Sequence, residues 1–337
     1  MSPEHDPAML AVRHGVRRVL AALPGPAPLR AADDVGPVVV ACSGGPDSLA
    51  LLAATVAEAH RLDPPRRVVG ATVDHGLQDG SAERAAALVE TMAGLGADET
   101  LTARVRVEES GQGPEAAARE ARYAVLEQVA TSTRASVVLL GHTLDDQAET
   151  VLLGLTRGSG GRSIAGMRRG FGVFRRPLLE CRRAQTLAAC RVLGVSTWDD
   201  PHNADPRFTR VRVRRTVLPL LEEELGPGVA ETLARTADLL RPDAEALDGY
   251  ADRALDESLR EQGLDLDVLT THPDAVVTRV LRLVALRAGC PPSELFHVHV
   301  TALHDLVTGA VRGRVQLPGH VTAYLADGLL RFGRTVG

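Results

Sequence analysis

Between residues 37 and 52 the chain reads Pro-Val-Val-Val-Ala-Cys-Ser-Gly-Gly-Pro-Asp-Ser-Leu-Ala-Leu-Leu, and its hydrophobic pattern changes abruptly in the middle. Val38 to Ala41 offer no polar position, the profile of a strand buried on both faces of a parallel sheet. From Pro46 the spacing becomes helical: Leu49, Leu51, Leu52 and Val56 form an apolar side, Pro suits the first turn, and Asp47 and Ser48 suit the N-terminal end. The same alternation continues downstream. The pattern predicts an amphipathic helix over 7–23, a proline-rich loop over 24–37, strands over 68–73, 100–107 and 137–140, and helices over 83–95, 115–131 and 145–156. A β-α-β alternation with short connections predicts an α/β fold, a doubly wound parallel sheet with helices on both faces.

Beyond residue 219 the pattern is different. Glu222-Glu223-Glu224-Leu225-Gly226-Pro227 marks a boundary, and 229–308 is almost entirely helical in spacing, broken at Arg241-Pro242, Gly263, His272-Pro273 and Cys290-Pro291-Pro292. Residues 312–317, 321–325 and 329–332 alternate around Pro318-Gly319 and Asp327-Gly328, which predicts a small hairpin or three-stranded element at the end. The expected organisation is a catalytic domain over 1–222 and a smaller, mainly helical domain over 223–337.

Composition sharpens this picture in three places. The chain has 337 residues, 45% of them hydrophobic, enough for two cores, and its formal charge of -5 argues against a globally basic coat for nucleic acid. It contains no Lys, so every basic contact falls to Arg, and from Arg157 to Arg215 there are 14 Arg against 4 acids. Arg168-Arg169 and Arg175-Arg176 flank glycine-rich chain, and Arg207, Arg210, Arg212, Arg214 and Arg215 surround a predicted strand-to-helix junction; both groups suit a grip on a polyanion. Arg182 and Arg183, on a predicted helix, read as solvated surface. Cys42, Cys181, Cys190 and Cys290 form no C-x-x-C and no zinc spacing, which predicts buried thiols. No apolar run approaches the ~18 residues of a membrane span, and a cytoplasmic protein without signal peptide is expected.

Candidate chemistry sits at the predicted strand ends. Gly44 and Gly45 between strand and helix let backbone N–H groups converge, and the helix N-terminus adds partial positive charge, a phosphate site. Ser43 and Ser48 add hydroxyl donors, and Asp47 adds a carboxylate suited to magnesium beside phosphate oxygens. With no Lys after the glycines, the loop is not a Walker A motif. A bare βα turn would also carry two glycines, so the whole Ser-Gly-Gly-Pro-Asp-Ser string is what counts. The rule that ligands collect at the carboxyl ends of parallel strands places this loop, Val73-Asp74-His75 and Gly141-His142 on one rim. Beside it stand His142, Asp145, Asp146, Gln147, Glu149 and Thr150. Asp145 alone reads as an ordinary acidic first turn, but clustered carboxylates beside a phosphate site need a cation, either a metal or an ammonium. An amine substrate would supply it, and a carboxylate would orient that amine or accept its proton.

The Ser43–Ser48 string resembles the PP-loop of the ATP pyrophosphatases. Together with VDHGL at 73–77, EAAAREARY at 115–123, LGHTLDDQAETVLLGLTRGSG at 140–160, RRPLL at 175–179 and WDDPHNADPRFTRVRVRRTVLPLL at 198–221, it is similar to the motif series of the tRNA(Ile)-lysidine synthetase family, its shorter members in particular. That resemblance covers about residues 38–221. It implies ligation of L-lysine to C2 of the wobble cytidine in the CAU anticodon of tRNA(Ile), through an adenylated cytidine, with ATP and Mg2+ consumed or bound and decoding changed from AUG to AUA. It further implies that Ser43, Gly44, Gly45, Pro46, Asp47 and Ser48 hold pyrophosphate with magnesium at Asp47, and that Val73, Asp74 and His75 meet the adenosine. Asp146 and Glu149, with His142, would hold lysine, and Arg119 or Arg122 would stabilise the transferring phosphoryl group. The arginine-rich stretch and the C-terminal helices would hold the anticodon stem, with no membrane partner and room for a homodimer. Two positions depart from the family pattern: Val211 stands where an Asn is common and Gln78 where an Arg is usual.

Three other classes share parts of this pattern. A sulfur-inserting tRNA enzyme needs reactive or cluster-binding cysteines near the loop. An amidating synthetase has the loop without the arginine stretch and needs an ammonia source. A non-catalytic RNA-binding protein has no use for Asp47 or the 142–149 cluster.

Overall fold

The structure is a computed structural model that describes residues 5–23, 35–74, 80–104, 114–156, 160–198 and 205–335. The chain packs as two compact units, Met1–Thr150 with Met167–Ala234, and Val151–Gly166 with Arg235–Gly337.

The first unit is built on a six-stranded sheet. Strands β1 (Val38–Ala41), β2 (Val68–Asp74), β3 (Glu99–Arg104), β4 (Val137–Leu140), β5 (Gly170–Phe171) and β6 (Phe174–Arg175) lie in the order β3-β2-β1-β4-β6-β5. All neighbours are parallel except the β5–β6 edge hairpin, which falls in a stretch whose glycines suggest irregular chain. The uninterrupted apolar run in β1 has a direct reason. Val38 and Val40 face one layer and pack with Val12 and Val16 of α1 (Pro7–Ala21) and Leu49 and Leu52 of α2 (Pro46–Ala59). Ala189 and Cys190 of α7 (Arg183–Leu193) join that layer. Val39 faces the other layer, with Val69, Val138, Phe174 and residues Leu126 and Val129 of α4 (Pro114–Thr133). A strand sandwiched this way has no solvent face on which a polar residue would be stable.

Chain order then fixes the site. β2 and β3 extend the sheet to one side of β1; the chain returns to lay β4 on the other side, with Ala41 opposite Leu140. The reversal makes the β1/β4 boundary the switch point where loops diverge and leave a crevice. Residues 43–48 follow β1, and residues 141–146 follow β4.

In the second unit α10 (Val229–Ser258) from Arg235 onward, α12 (Asp274–Arg287) and α13 (His297–Val307) pack around Leu255, Leu281 and Leu303. They share this core with a five-stranded antiparallel sheet in the order β7 (Leu259–Arg260), β8 (Gly263–Asp265), β11 (Leu329–Arg334), β10 (Val321–Ala326), β9 (Arg314–Leu317). The closing strands β9, β10 and β11 follow the sequence pattern, but β7 and β8 lie where the spacing reads as helix. Leu264 explains them: it is buried and registers against Leu330, a pairing partner that local spacing cannot reveal. The expected break at Pro242 is also absent, since α10 runs through it. An interior proline costs roughly 3 kcal/mol, and burial of Ala237 before it and of Ala251, Ala254 and Leu255 after it offsets that cost.

Candidate active site

The loop read from sequence as a phosphate site is closed by its own hydrogen bonds. Gly44 has φ 83°, in the left-handed region that favours glycine, and Gly45 precedes α2, whose first residue is Pro46. Ser48 Oγ donates to Gly45 O at 2.9 Å and accepts from Ser43 N at 3.2 Å, closing the loop on itself. The loop from β4 presses against it: a Cβ on Gly141 would lie 3.1 Å from both the carbonyl carbon of Asp47 and the nitrogen of Ser48. Glycine at 141 is what allows the two loops to touch.

Helix α5 (Leu144–Thr156) carries the acidic cluster. Thr143 just before it donates from N (2.8 Å) and from Oγ1 (2.9 Å) to Asp146 Oδ2, so Asp146 points back at the helix start. Glu149, nearly one turn on, lies on the same side and is fully buried at 0% exposure. Two buried carboxylates at this spacing demand counter-charge, and three arginines supply it. Arg183 Nη2 lies 2.9 Å from Asp146 Oδ1 and Arg214 Nη2 3.0 Å from the same atom. Arg210 Nε lies 2.8 Å, and Arg214 Nε 2.5 Å, from the Glu149 carboxylate. Arg183 also reaches the phosphate loop, where its Nε donates to Asp47 Oδ2 at 3.2 Å, while Thr186 Oγ1 donates to Asp47 Oδ1. Arg183 and Thr186 are three apart on α7, so both face Asp47.

The electrostatics of the two aspartates differ. Burial alone would raise Asp146, but Arg183, Arg210 and His142, with the Thr143 N–H, outweigh it and hold the carboxyl well below the usual carboxylate range. For Asp47 burial dominates, and despite Arg183 and Thr186 its carboxyl sits above the ordinary value. Burial also pushes the thiols up, Cys42 to about 12 and Cys181 and Cys190 to about 11, and all four cysteines are free and buried. Among the described residues no group of three or more His, Cys, Asp or Glu could hold a metal ion by itself. Asp47 fits magnesium in a different sense. Its two oxygens each accept one hydrogen bond and keep a lone pair, and one carboxylate with phosphate oxygens and water is a donor set this ion takes.

The structure brings together Ser43, Gly44, Gly45, Pro46, Asp47, Ser48, Asp146 and Glu149. Arg176 Nε lies 3.2 Å from His142 Nδ1, and Arg176 Nη2 donates to Tyr123 OH at 3.1 Å. Val73 and Asp74 end β2, with Asp74 3.5 Å from Arg104 Nε. His75 lies outside the described residues, as does Gln78. Arg119 and Arg122 both lie on α4; the Arg122 side chain is exposed and that of Arg119 lies outside the described residues. Asp145 does structural work, accepting from Arg183 N at 2.7 Å at the start of α7 and from Arg182 Nη1 at 3.0 Å. Gln147 pairs twice with the backbone of Met167.

Two readings from sequence change. Arg183, which reads as surface, is the hub of the site. No local pattern in the sequence marks it; the backbone bond from Leu144 N to Cys181 O draws this segment onto the start of α5. Arg210 and Arg214 turn inward instead of facing a polyanion. They do so because 209–225 is helical throughout, α8 (Thr209–Arg212), a π-helical segment (Val213–Val217) and α9 (Leu218–Leu225), where alternation of Val and Arg suggests a strand. Buried Val211 and Val213 anchor the segment, and the i, i+4 pair Arg210 and Arg214 converges on Glu149.

Comparison with known proteins places these features in context. A family model described as a PP-loop domain matches residues 26–221. The tRNA(Ile)-lysidine synthase of Thermobifida fusca (strain YX) is 51% identical over 316 residues, covering 93% of this chain and 94% of that one. That of Salinispora arenicola (strain CNS-205) is 49% identical over 330 residues, covering 96% of each. Among solved structures, a U34-tRNA thiolase of Methanococcus maripaludis with its 4Fe-4S cluster is similar, with TM-score 0.54 and 18% identity over 69% of this chain and 80% of that chain, a likeness of fold alone.

The charge balance has a measurable consequence. Because Asp146 titrates lower in the folded than in the unfolded chain, its contribution is fully present above the unfolded carboxyl value of about 4 and is lost as the pH falls below it. Asp146→Asn, which leaves the guanidiniums short of a partner, should cost about 3 to 5 kcal/mol in denaturant unfolding at pH 7. The gap to wild type should close progressively as the pH is lowered from about 4. A gap independent of pH would show that the loss is one of packing.

Proposed function

Because this chain belongs to the tRNA(Ile)-lysidine synthase family of PP-loop proteins, we propose that it divides one ligation between the adjacent ends of β1 and β4. It is an ATP-using enzyme of tRNA modification that forms lysidine at the wobble cytidine of tRNA(Ile). The observation that carries the division is the contact between the two loops: Gly141 lies against the Asp47–Ser48 backbone, and Arg183 spans Asp47 and Asp146.

The chemistry follows from those positions. The cytosine O2 attacks the α-phosphate of ATP and pyrophosphate leaves, held by the loop N–H groups and the hydroxyls of Ser43 and Ser48 at the start of α2. Asp47 would hold magnesium, which when bound offsets the charge of the leaving pyrophosphate. In this reading, which here rests on the sequence motifs, Val73, Asp74 and His75 would meet the adenosine, and Arg119 or Arg122 would stabilise the transferring phosphoryl group. The ε-amine of L-lysine then attacks C2 of the adenylated cytidine, and AMP leaves. Asp146 and Glu149 hold that amine, with His142 beside them. A carboxyl as low as Asp146 stays ionised near an ammonium and so binds it, whereas it would be a weak store for its proton.

For the tRNA, the reading uses the region from 223 onward and those arginines that remain outward. Arg212 and Arg215 are exposed on the helical run that carries Arg210 and Arg214 inward, so the run presents opposite sides to the site and to solvent. The reading puts the enzyme in the cytoplasm with its tRNA. Among the described residues no helix is long and apolar enough to cross a membrane.

Incubation with ATP, radiolabelled lysine and unmodified tRNA(Ile) should place label in acid-insoluble RNA, and absence of label with every other amino acid accepted or none would refute lysine as the substrate. In Asp146→Asn with Glu149→Gln, pyrophosphate release should persist while lysine incorporation falls by orders of magnitude. Loss of both with unchanged lysine binding would move these carboxylates out of the amine site. Independently, Arg212→Ala with Arg215→Ala should lower the log-log salt slope of tRNA binding by about two, roughly one per phosphate contact. An unchanged slope would place the grip elsewhere.

A further inference from the structure

The carboxylates and guanidiniums of the site are matched in number, and one guanidinium is shared. Asp47, Asp146 and Glu149 face Arg183, Arg210 and Arg214. Arg210 and Arg214 contact only the Asp146–Glu149 pair in this group. Arg183 uses three different nitrogens for three acids: Nε for Asp47 at 3.2 Å, Nη2 for Asp146 at 2.9 Å and Nη1 for Glu149 at 3.6 Å. Among the described residues it is the one cation that touches both the phosphate-loop carboxylate and the two carboxylates of α5.

A planar guanidinium has five donors in a fixed fork and cannot serve a new partner on one side without changing its reach on the other. A nucleotide at the phosphate loop brings charged phosphate oxygens, acceptors that compete with carboxylates for an arginine, and a divalent cation that competes with Arg183 for Asp47. The cation releases Arg183 from Asp47, and the phosphate oxygens take up the freed guanidinium and draw it away from Asp146 and Glu149. Those carboxylates, one fully buried, then lack part of their counter-charge and gain affinity for another cation.

We propose that Arg183 is a positioning residue that couples the two half-sites: occupancy of the phosphate loop frees Asp146 and Glu149 to accept the lysine ammonium, so that amine binding is strengthened by bound nucleotide. The proposal rests on the reading of the α5 carboxylates as the amine site. It makes the order of events a property of one side chain, with the amine admitted when a phosphoryl group is present to be displaced. Coupling of this kind is reciprocal, and between two sites it is typically worth 5- to 150-fold in affinity.

The test is calorimetric titration of the full chain with L-lysine, without nucleotide and with saturating magnesium and α,β-methylene-ATP, and the converse titration of nucleotide with and without lysine. Wild type should bind lysine at least roughly five-fold more tightly with the analogue, and the analogue should tighten by the same factor with lysine. In Arg183→Gln the factor should fall to near one, while circular dichroism reports retained fold. Arg183→Lys, which keeps the charge but not the fork, should give an intermediate factor and serves if the Gln variant does not fold. Equal lysine affinity with and without the analogue in wild type, or an undiminished factor in both variants, overturns the coupling. Lysine binding that survives Asp146→Asn with Glu149→Gln at wild-type affinity overturns instead the amine-site reading.

Discussion

Three carboxylates gathered at the ends of two neighbouring parallel strands would repel one another at ruinous cost, and the arginines that neutralise them hold this half of the molecule in register. Asp47 belongs to the first turn of α2, Asp146 and Glu149 to the helix after β4, Arg183 to α7, and Arg210 and Arg214 to the helical run before α9. Four separate segments therefore meet through ion pairs whose acids are largely buried, where screening is weak and geometry is enforced. The sheet makes this meeting possible, since β1 and β4 are adjacent, and Gly141 makes it close, since a side chain there would strike the phosphate loop.

The same charge balance is what the proposed amine site would draw on. A cluster balanced by arginines can exchange one cation for another of similar charge without leaving a buried carboxylate unpaired. The thiols take no part in it. Cys42 stands immediately before the loop, yet its sulfur points back to Val40 O at 3.6 Å and burial pushes it up to about 12, so it is a packed side chain and no nucleophile. The likeness to the solved thiolase is one of fold alone.

What could be read from the sequence was whatever local periodicity or a contiguous motif carries. The strands of the first sheet have no polar position because both faces are covered, and the loop at 43–48 declares itself by its glycines, so the parallel fold and the turn between β1 and α2 were legible. Asp146 and Glu149 were legible as a charge cluster that needed a cation. The identity of that cation was not, because it comes from Arg183, Arg210 and Arg214, which are 34 to 68 residues away in sequence along a chain that folds back onto α5. Alternating Val and Arg at 211–215 mimics a strand, and only tertiary burial of Val211 and Val213 makes it helical. Leu264 and Pro242 teach the same lesson in the second unit, where pairing with Leu330 and burial along α10 override what the neighbours in sequence suggest.

The central claim is that the cations now seated on Asp146 and Glu149 occupy the place of a substrate ammonium. The most direct measurement is a crystal structure of the full chain with L-lysine and an unreactive ATP analogue bound. The account predicts the ε-amine within about 3 Å of an Asp146 or Glu149 oxygen, with at least one of Arg183, Arg210 and Arg214 withdrawn from its present partner. Lysine bound elsewhere, or bound there with all three arginine contacts unchanged, would contradict it.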